Sequence, residues 1–179
     1  MLHTATLESP VGRLTLVASD AGLVAILWPD DVAADPRPAR VPLGETTQAP
    51  DHPVLAETRA QLTAYFAGTL TQFTVPLDLR GTDFQKAVWT ALLAIPFGET
   101  RSYADVARAI GRPTATRAVG AANGRNPVSI IAPCHRVVGS NGTLTGFAGG
   151  LAAKRFLLAH ERGSNREPEL FFTFGSNSG

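Results

Sequence analysis

Cys134 is the only cysteine in a chain of 179 residues, and it stands in the run Pro133-Cys134-His135. A cysteine attacks as its thiolate, so it needs a base or a cation close by. His135 offers an imidazole, which exchanges protons near neutral pH. Together they suit nucleophilic attack by sulfur. Neighbours in an extended strand point to opposite faces, so His135 reaches the sulfur only through a turn or a water. A third group would orient the histidine. Glu161 is the candidate, at the end of the helical stretch 151–161. A carboxylate there opposes the helix macrodipole, a cost that a site can offset. The pattern alone leaves the plainer reading open: an inert buried thiol and a solvated terminal carboxylate.

These residues need elements to position them. Ahead of Cys134 runs the apolar β-type segment Val128-Ser129-Ile130-Ile131, and behind it the glycine-rich stretch 139–150, suited to lining a pocket. Upstream, residues 83–93 recur at helical spacing, with Asp83 as the expected cap. Ser102 and Asp105 form a capping-box variant that opens a second helix. Thr114 is expected to cap a third, 115–123, rich in Ala and Gly, with Gly124 as its stop. The last two helices are joined by a turn containing Gly111 and make a helix-turn-helix candidate. A helix of small residues lets the backbone approach DNA closely, but any tightly packed helix looks the same.

The first part of the chain reads differently. Residues 4–8 and 13–18 alternate as strands, with Ser9-Pro10-Val11-Gly12 as a hairpin turn, and the apolar run 22–28 reads as a third strand, which together predict an antiparallel sheet. Residues 29–53 lack periodicity and read as a long, mobile surface loop. A helix is expected over 54–66, stopped by Gly68, and an irregular or edge strand over 72–79, where Pro76 bars a central place. A change of composition at Arg80-Gly81-Thr82 puts a domain boundary near residue 80. The fold class is therefore α+β: an N-terminal antiparallel sheet with a helix over 1–80, then a mostly helical C-terminal domain over 81–179. Phe171, Phe172 and Phe174 in the tail are expected to pack back onto the body.

Composition narrows the function. A lone cysteine excludes an intrachain disulfide and a cysteine-rich zinc site. His3, His52, His135 and His160 lack metal-ligand spacing, so no metal is expected. A free thiol, no signal-type N-terminus and no membrane-length apolar run point to the cytoplasm. A net charge of +1 argues against broad electrostatic wrapping of nucleic acid but allows a local basic site.

Pro133-Cys134-His135-Arg136-Val137-Val138, with Arg117-Ala118-Val119-Gly120 and Asn126-Pro127 before it and 145–150 and 154–161 after it, resembles the O6-alkylguanine-DNA alkyltransferases. The specific match covers 81–161, and weaker agreement reaches the first domain, which the resemblance implies is ribonuclease-H-like. It implies Cys134 as alkyl acceptor, His135 as base through a water, Glu161 as its orienting carboxylate and Asn126 as a hinge. Arg117 would be the finger that fills the gap left by the extruded base. Tyr103 would crowd the phosphate and donate to the flipped guanine. Thr116, Ala118, Ala121, Asn123 and Gly124 would complete the DNA-binding surface. Pro133, Val137, Phe147 and Ala148 would line the base pocket. The partner implied is double-stranded DNA with alkylated guanine or thymine, met from the minor groove. No cofactor is implied, and the protein is expected as a monomer in solution, with cooperative assembly on DNA left open.

Some positions depart from the family pattern. Phe147 stands where some members carry a tyrosine, so the guanine oxygen must rely on backbone donors such as the Ala148 amide. Ser129 replaces a proline found in some members. The chain has no cysteines for the N-terminal zinc of some members, and no N-terminal regulatory domain, which argues against a sensor role. Two other readings compete. Alkyltransferase-like binding modules lack the acceptor cysteine, which is present here. A cysteine hydrolase needs a spatially separate histidine facing the sulfur, and only His3, His52 and His160 remain.

Overall fold

The computed structural model describes residues 1–33 and 39–163. The tail phenylalanines at 171, 172 and 174 lie outside the described residues. Strands β1 (Leu2–Ser9), β2 (Gly12–Ala18) and β3 (Leu23–Leu27) form where the sequence predicts three strands. The β1–β2 hairpin pairs Thr4 with Val17 and Leu7 with Leu14, and Gly12 turns it with a φ of 106°.

The segment 29–53 is more structured than its sequence suggests. It holds a short helix, α1 (Pro29–Ala33), and a strand, β4 (Thr46–Gln48), which pairs in parallel with β1. The sheet, in order β3-β2-β1-β4, is therefore mixed rather than antiparallel throughout. β4 is three exposed residues long, so burial left no hydrophobic alternation to read.

The outer edge of β3 is covered from two sides. The Leu23 amide donates to the Pro76 carbonyl and the Asp78 amide to the Leu23 carbonyl, both at 2.8 Å, which leaves 72–79 a single bridge at Leu77 rather than a strand. The Ile26 amide donates to the Pro127 carbonyl at 2.8 Å, and Ile26 bridges Val128. An exposed strand edge invites foreign pairing. Here part of that edge is used to anchor the segment leading to Cys134.

Helix α2 (Pro53–Phe66) crosses the sheet and buries Leu55, Leu62 and Tyr65. Helices α3 (Asp83–Leu93), α4 (Tyr103–Ala109) and α5 (Thr116–Gly124) pack on one another. A two-residue parallel pair joins β5 (Arg101–Ser102) to β6 (Val137–Val138), and α6 (Leu151–Glu161) closes the described chain. Ser102 and Asp105 form both halves of a capping box on α4, as expected. On α3 the cap is Thr82, boxed with Gln85, and not Asp83. Threonine one residue earlier has glutamine at the third helical position, which a cap at Asp83 would lack. Helix α5 starts after Ala115 with no side-chain cap. Thr114 is too early, because the Ala115 amide closes a turn on the Arg112 carbonyl.

Two apolar clusters meet at the site. One joins Leu14, Leu16 and Ile26 of the sheet with Leu62 of α2, Val128 to Ala132 and Leu157 of α6, and so spans both sides of residue 80. The other joins Val88, Trp89, Val106 and Val119 of the helices with Cys134 and Val137. Burying each large side chain contributes roughly 1.5–3 kcal/mol, so the loop bearing the cysteine is held from both directions. No described helix is long and apolar enough to cross a membrane.

Candidate active site

The approach to Cys134 is a tight, internally bonded turn. Asn126 Nδ2 donates to the Ala132 carbonyl at 2.7 Å, and its Oδ1 accepts from the Val128 amide at 3.1 Å. The Ala132 and Cys134 amides close on the Val128 and Ala132 carbonyls. Between them Ile130, fully buried, has a φ of 77°. A β-branched residue in that region costs about 1–3 kcal/mol and persists only where its surroundings dictate it. Cys134–Arg136 is then one turn of 3-10 helix. At three residues per turn, neighbouring side chains are not opposed. The turn that His135 needs is thus present.

Glu161 is the hub. Its Oε2 accepts from His135 Nε2 at 2.7 Å and the Tyr65 hydroxyl at 2.6 Å, and Arg136 grips both oxygens, Nε on Oε1 at 2.7 Å and Nη2 on Oε2 at 3.0 Å. Arg136 Nη1 also holds the Ile95 carbonyl at 2.6 Å. All four side chains are buried. With Nε2 committed to Glu161, His135 Nδ1 is buried and has no partner among the described residues. That nitrogen is the one left for the thiol.

Electrostatics follow from this packing. Cys134 is 3% exposed. Burial pushes its thiol above the usual range, opposed by the Asn126 and Ser129 side chains and by the charges of Arg40 and Lys154. Burial pushes His135 down, against Glu161, so the ring is a neutral base at neutral pH. Burial alone would raise Glu161, but hydrogen bonds from His135 and Arg136 and their charges hold it well below the carboxylate range. The resting site is a thiol beside a neutral imidazole backed by a fixed anion.

The face of α5 away from the core exposes Thr116, Arg117, Ala118, Ala121 and Gly124. Arg117 makes no hydrogen bond or ion pair with any described residue. Asn123, expected on the same surface, is buried instead, with Nδ2 turned 3.5 Å from the Cys134 carbonyl. Its helical position, one residue after the buried Ala122, points it inward. Tyr103 lies under Gly120 of α5 and shares a hydrogen bond with Thr145 Oγ1. Tyr103 and Phe147, both partly exposed, pack against the cluster containing Cys134. Phe147 meets Trp28 edge-on at 5.4 Å. A Cβ at Gly149 would fall 2.7 Å from the Trp28 ring, so this part of the loop needs glycine. Ala148 is partly buried beside it. Pro133 borders a cleft of about 600 Å³ with Phe73, Val75, Ile95, Phe97 and Arg136, and that cleft does not include Cys134. His3, Asp20 and His52 come together at the far end of the sheet; no other group of three metal-type ligands occurs among the described residues.

Two family models together match almost the whole described chain. Residues 2–79 match the 6-O-methylguanine DNA methyltransferase ribonuclease-like domain, and residues 83–163 match the 6-O-methylguanine DNA methyltransferase DNA binding domain. The chain belongs to the 6-O-methylguanine DNA methyltransferase family. Methylated-DNA–protein-cysteine methyltransferase of Mycobacterium tuberculosis is 50% identical over 162 residues, 90% of this chain and 93% of its own. The enzyme so named from Methanosarcina acetivorans is 46% identical over 89% of this chain and 98% of its own. The crystal structure of the M. tuberculosis O6-methylguanine methyltransferase superposes with a TM-score of 0.80 at 48% identity, covering 97% of this chain and 99% of that one. The crystal structure of the M. tuberculosis protein in complex with DNA gives 0.79 at 48%, covering 90% and 94%.

Four polar residues around the site are not visible in residue spacing. Tyr65 and Arg136 complete the Glu161 hub. Lys154 is fully buried, and its Nζ donates to the carbonyls of Val137 at 2.7 Å and Thr145 at 3.3 Å, tying β6 to the pocket loop. Arg40 donates to the Asn126 carbonyl at 2.7 Å while paired with Asp31. Arg136 carries a signal as the neighbour of His135, and Lys154 as the first residue of the matching stretch 154–161; Tyr65 and Arg40 carry none. The Trp28 indole N–H donates to Ser129 Oγ at 3.1 Å.

Proposed function

We infer that this protein is a methylated-DNA–protein-cysteine methyltransferase, repairing DNA by moving an alkyl group from O6-alkylguanine to its own Cys134. One observation carries the reading: the sole cysteine sits in a helix-turn-helix domain beside a buried histidine held by a buried glutamate. His135 takes the thiol proton through a water at Nδ1. The sulfur displaces the base in line at the alkyl carbon; an S–C bond forms as the C–O bond breaks, and the electron pair passes to the purine. Tyr103 then donates to the ring so that guanine leaves neutral. The thioether product has no group in the chain to reverse it, so each molecule acts once, without a cofactor. The acceptor cysteine separates this reading from a non-catalytic lesion-binding module.

Base extrusion costs a few kcal/mol. Arg117, unpaired on the exposed face of α5, fills the vacated stack from the minor groove, where degenerate edges allow sequence-independent binding. Thr116, Ala118, Ala121 and Gly124 let the backbone approach. Asn123 serves Cys134 from beneath rather than DNA. For the base to enter, the Tyr103–Thr145 contact parts, freeing Tyr103 as donor. The Val137 carbonyl, with one lone pair used by Lys154, reads the guanine amino group with the other. The Ala148 amide meets the oxygen, and Phe147 with Pro133 shapes the walls. We assign 1–80 to a ribonuclease-H-like structural domain and 81–179 to DNA binding and transfer. O4-alkylthymine is proposed as a second substrate, for a cytoplasmic monomer able to assemble cooperatively on DNA.

The test is intact-mass measurement after incubation with an oligonucleotide carrying O6-methylguanine. One methyl mass on Cys134, saturating at one per molecule, is expected. Tight binding without any mass change would favour the binding-module reading.

A further inference from the structure

We propose that His3, Asp20 and His52 form a site for a zinc-type divalent cation in the N-terminal sheet region. The three residues belong to different elements: His3 to β1, Asp20 to the β2–β3 turn, and His52 to the position that caps α2. Their ligand atoms all lie within 4.8 Å of one another. Both imidazoles turn Nε2 to the same Asp20 oxygen, His52 at 3.1 Å and His3 at 3.8 Å. The rings stack with centroids 4.6 Å apart.

Two imidazole nitrogens and a carboxylate suit zinc, with a remaining position left to water. A tetrahedral ion about 2.0 Å from each donor needs donor separations of roughly 3.3 Å. The separations from Asp20 already bracket that value, and Asp20, with 91% of its side chain exposed, is free to adjust. The two histidines are mostly covered, at 21% and 12% exposure, so the donor set is half fixed and half mobile. A solvated surface pair would need only one histidine. Here a second ring is packed against the first, and its buried Nδ1 has no hydrogen-bond partner among the described residues.

Ligation has a local consequence. His52 Nδ1 now accepts from the Val54 amide at 3.3 Å, so the proton is on Nε2, donated to Asp20. An ion at Nε2 moves that proton to Nδ1, so the Val54 amide loses its acceptor and the long cap contact is exchanged for a coordinate bond. The ion would clasp the start of α2 to the sheet. The same helix carries Tyr65 to Glu161, so the clasp bears on the alkyltransferase site without touching it.

The experiment is zinc titration of the full chain by calorimetry, with thermal melting alongside. One zinc per chain is expected, with Tm raised by about 5–10 °C at free zinc a hundredfold above Kd. A Cys134→Ala chain should bind equally, which removes the thiol as the ligand. Asp20→Asn and His3→Gln should each weaken binding at least tenfold. His52→Asn, which keeps a capping side chain, should do the same while the protein still melts cooperatively. Cobalt should give the visible bands of a four-coordinate ion. No saturable zinc binding, or binding unchanged in Asp20→Asn and His3→Gln, overturns the site. Neither result touches the alkyl-transfer reading, which the methyl mass gain tests separately.

Discussion

The outer face of α5 and the ground beneath Cys134 lie a few residues apart in sequence and are built by opposite rules. On α5, Arg117 has no partner among the described residues, and its neighbours Ala118, Ala121 and Gly124 offer little but backbone. Beneath the sulfur, Glu161 alone is bonded by three side chains from two elements, Tyr65 of α2 and His135 and Arg136 of the 3-10 turn. A surface that meets a deformable partner of any sequence gains from being unbonded, since nothing must be broken before contact. A group that moves one proton at one atom gains from having no freedom at all.

That contrast can be broken first at the sulfur. Cys134→Ala is expected to abolish methyl transfer while lesion-containing duplex still binds within a few fold. Loss of binding to match the loss of transfer would mean that the two regions are not separable.

The next largest effect belongs to the hub. Arg136→Ala strips two bonds from a buried carboxylate, and unfolding by urea should register a loss of about 3–5 kcal/mol. A loss under 1 kcal/mol would place Glu161 among solvated acids after all.

Acid tests the same ground more gently. His135 is kept neutral by burial in the fold but takes a proton near pH 6.5 when unfolded. The unfolded chain therefore binds more protons, and stability falls as pH drops from about 6.5 toward the lower folded value. Glu161, held low, adds its own loss below about pH 4.3. Melting temperatures that stay level from about pH 7.5 to 5.5 would mean that His135 is charged in the native state.

The smallest effect on stability belongs to the outer face. Arg117→Ala should change unfolding free energy by no more than about 0.5 kcal/mol, yet slow transfer from duplex roughly tenfold, in line with an extrusion cost of a few kcal/mol. Transfer from the free base should not change. Equal losses on both substrates would remove the finger role.

What could be read from the chain follows the same division. Strands β1 to β3 and the helices α3 and α4 show in local alternation, helical spacing and a Ser102–Asp105 box, because each rests on residues a few positions apart. Cys134, His135, Asn126 and Glu161 were legible because their motif is contiguous or bears a family resemblance. Tyr65 and Arg40 were not, since each acts on a group 86 or more residues away through a contact that only folding creates. β4 was missed because three exposed residues carry no burial pattern. Asn123 was misplaced by a matter of helical phase: one position along α5 separates solvent from the underside of Cys134.

Tyr65 gives the first eighty residues a stake in chemistry that their sequence does not advertise. A fragment beginning at Arg80 would keep the whole DNA binding domain, Cys134 included, and would still lose the hydroxyl that braces its glutamate. Such a piece would pass inspection on paper and falter in the tube.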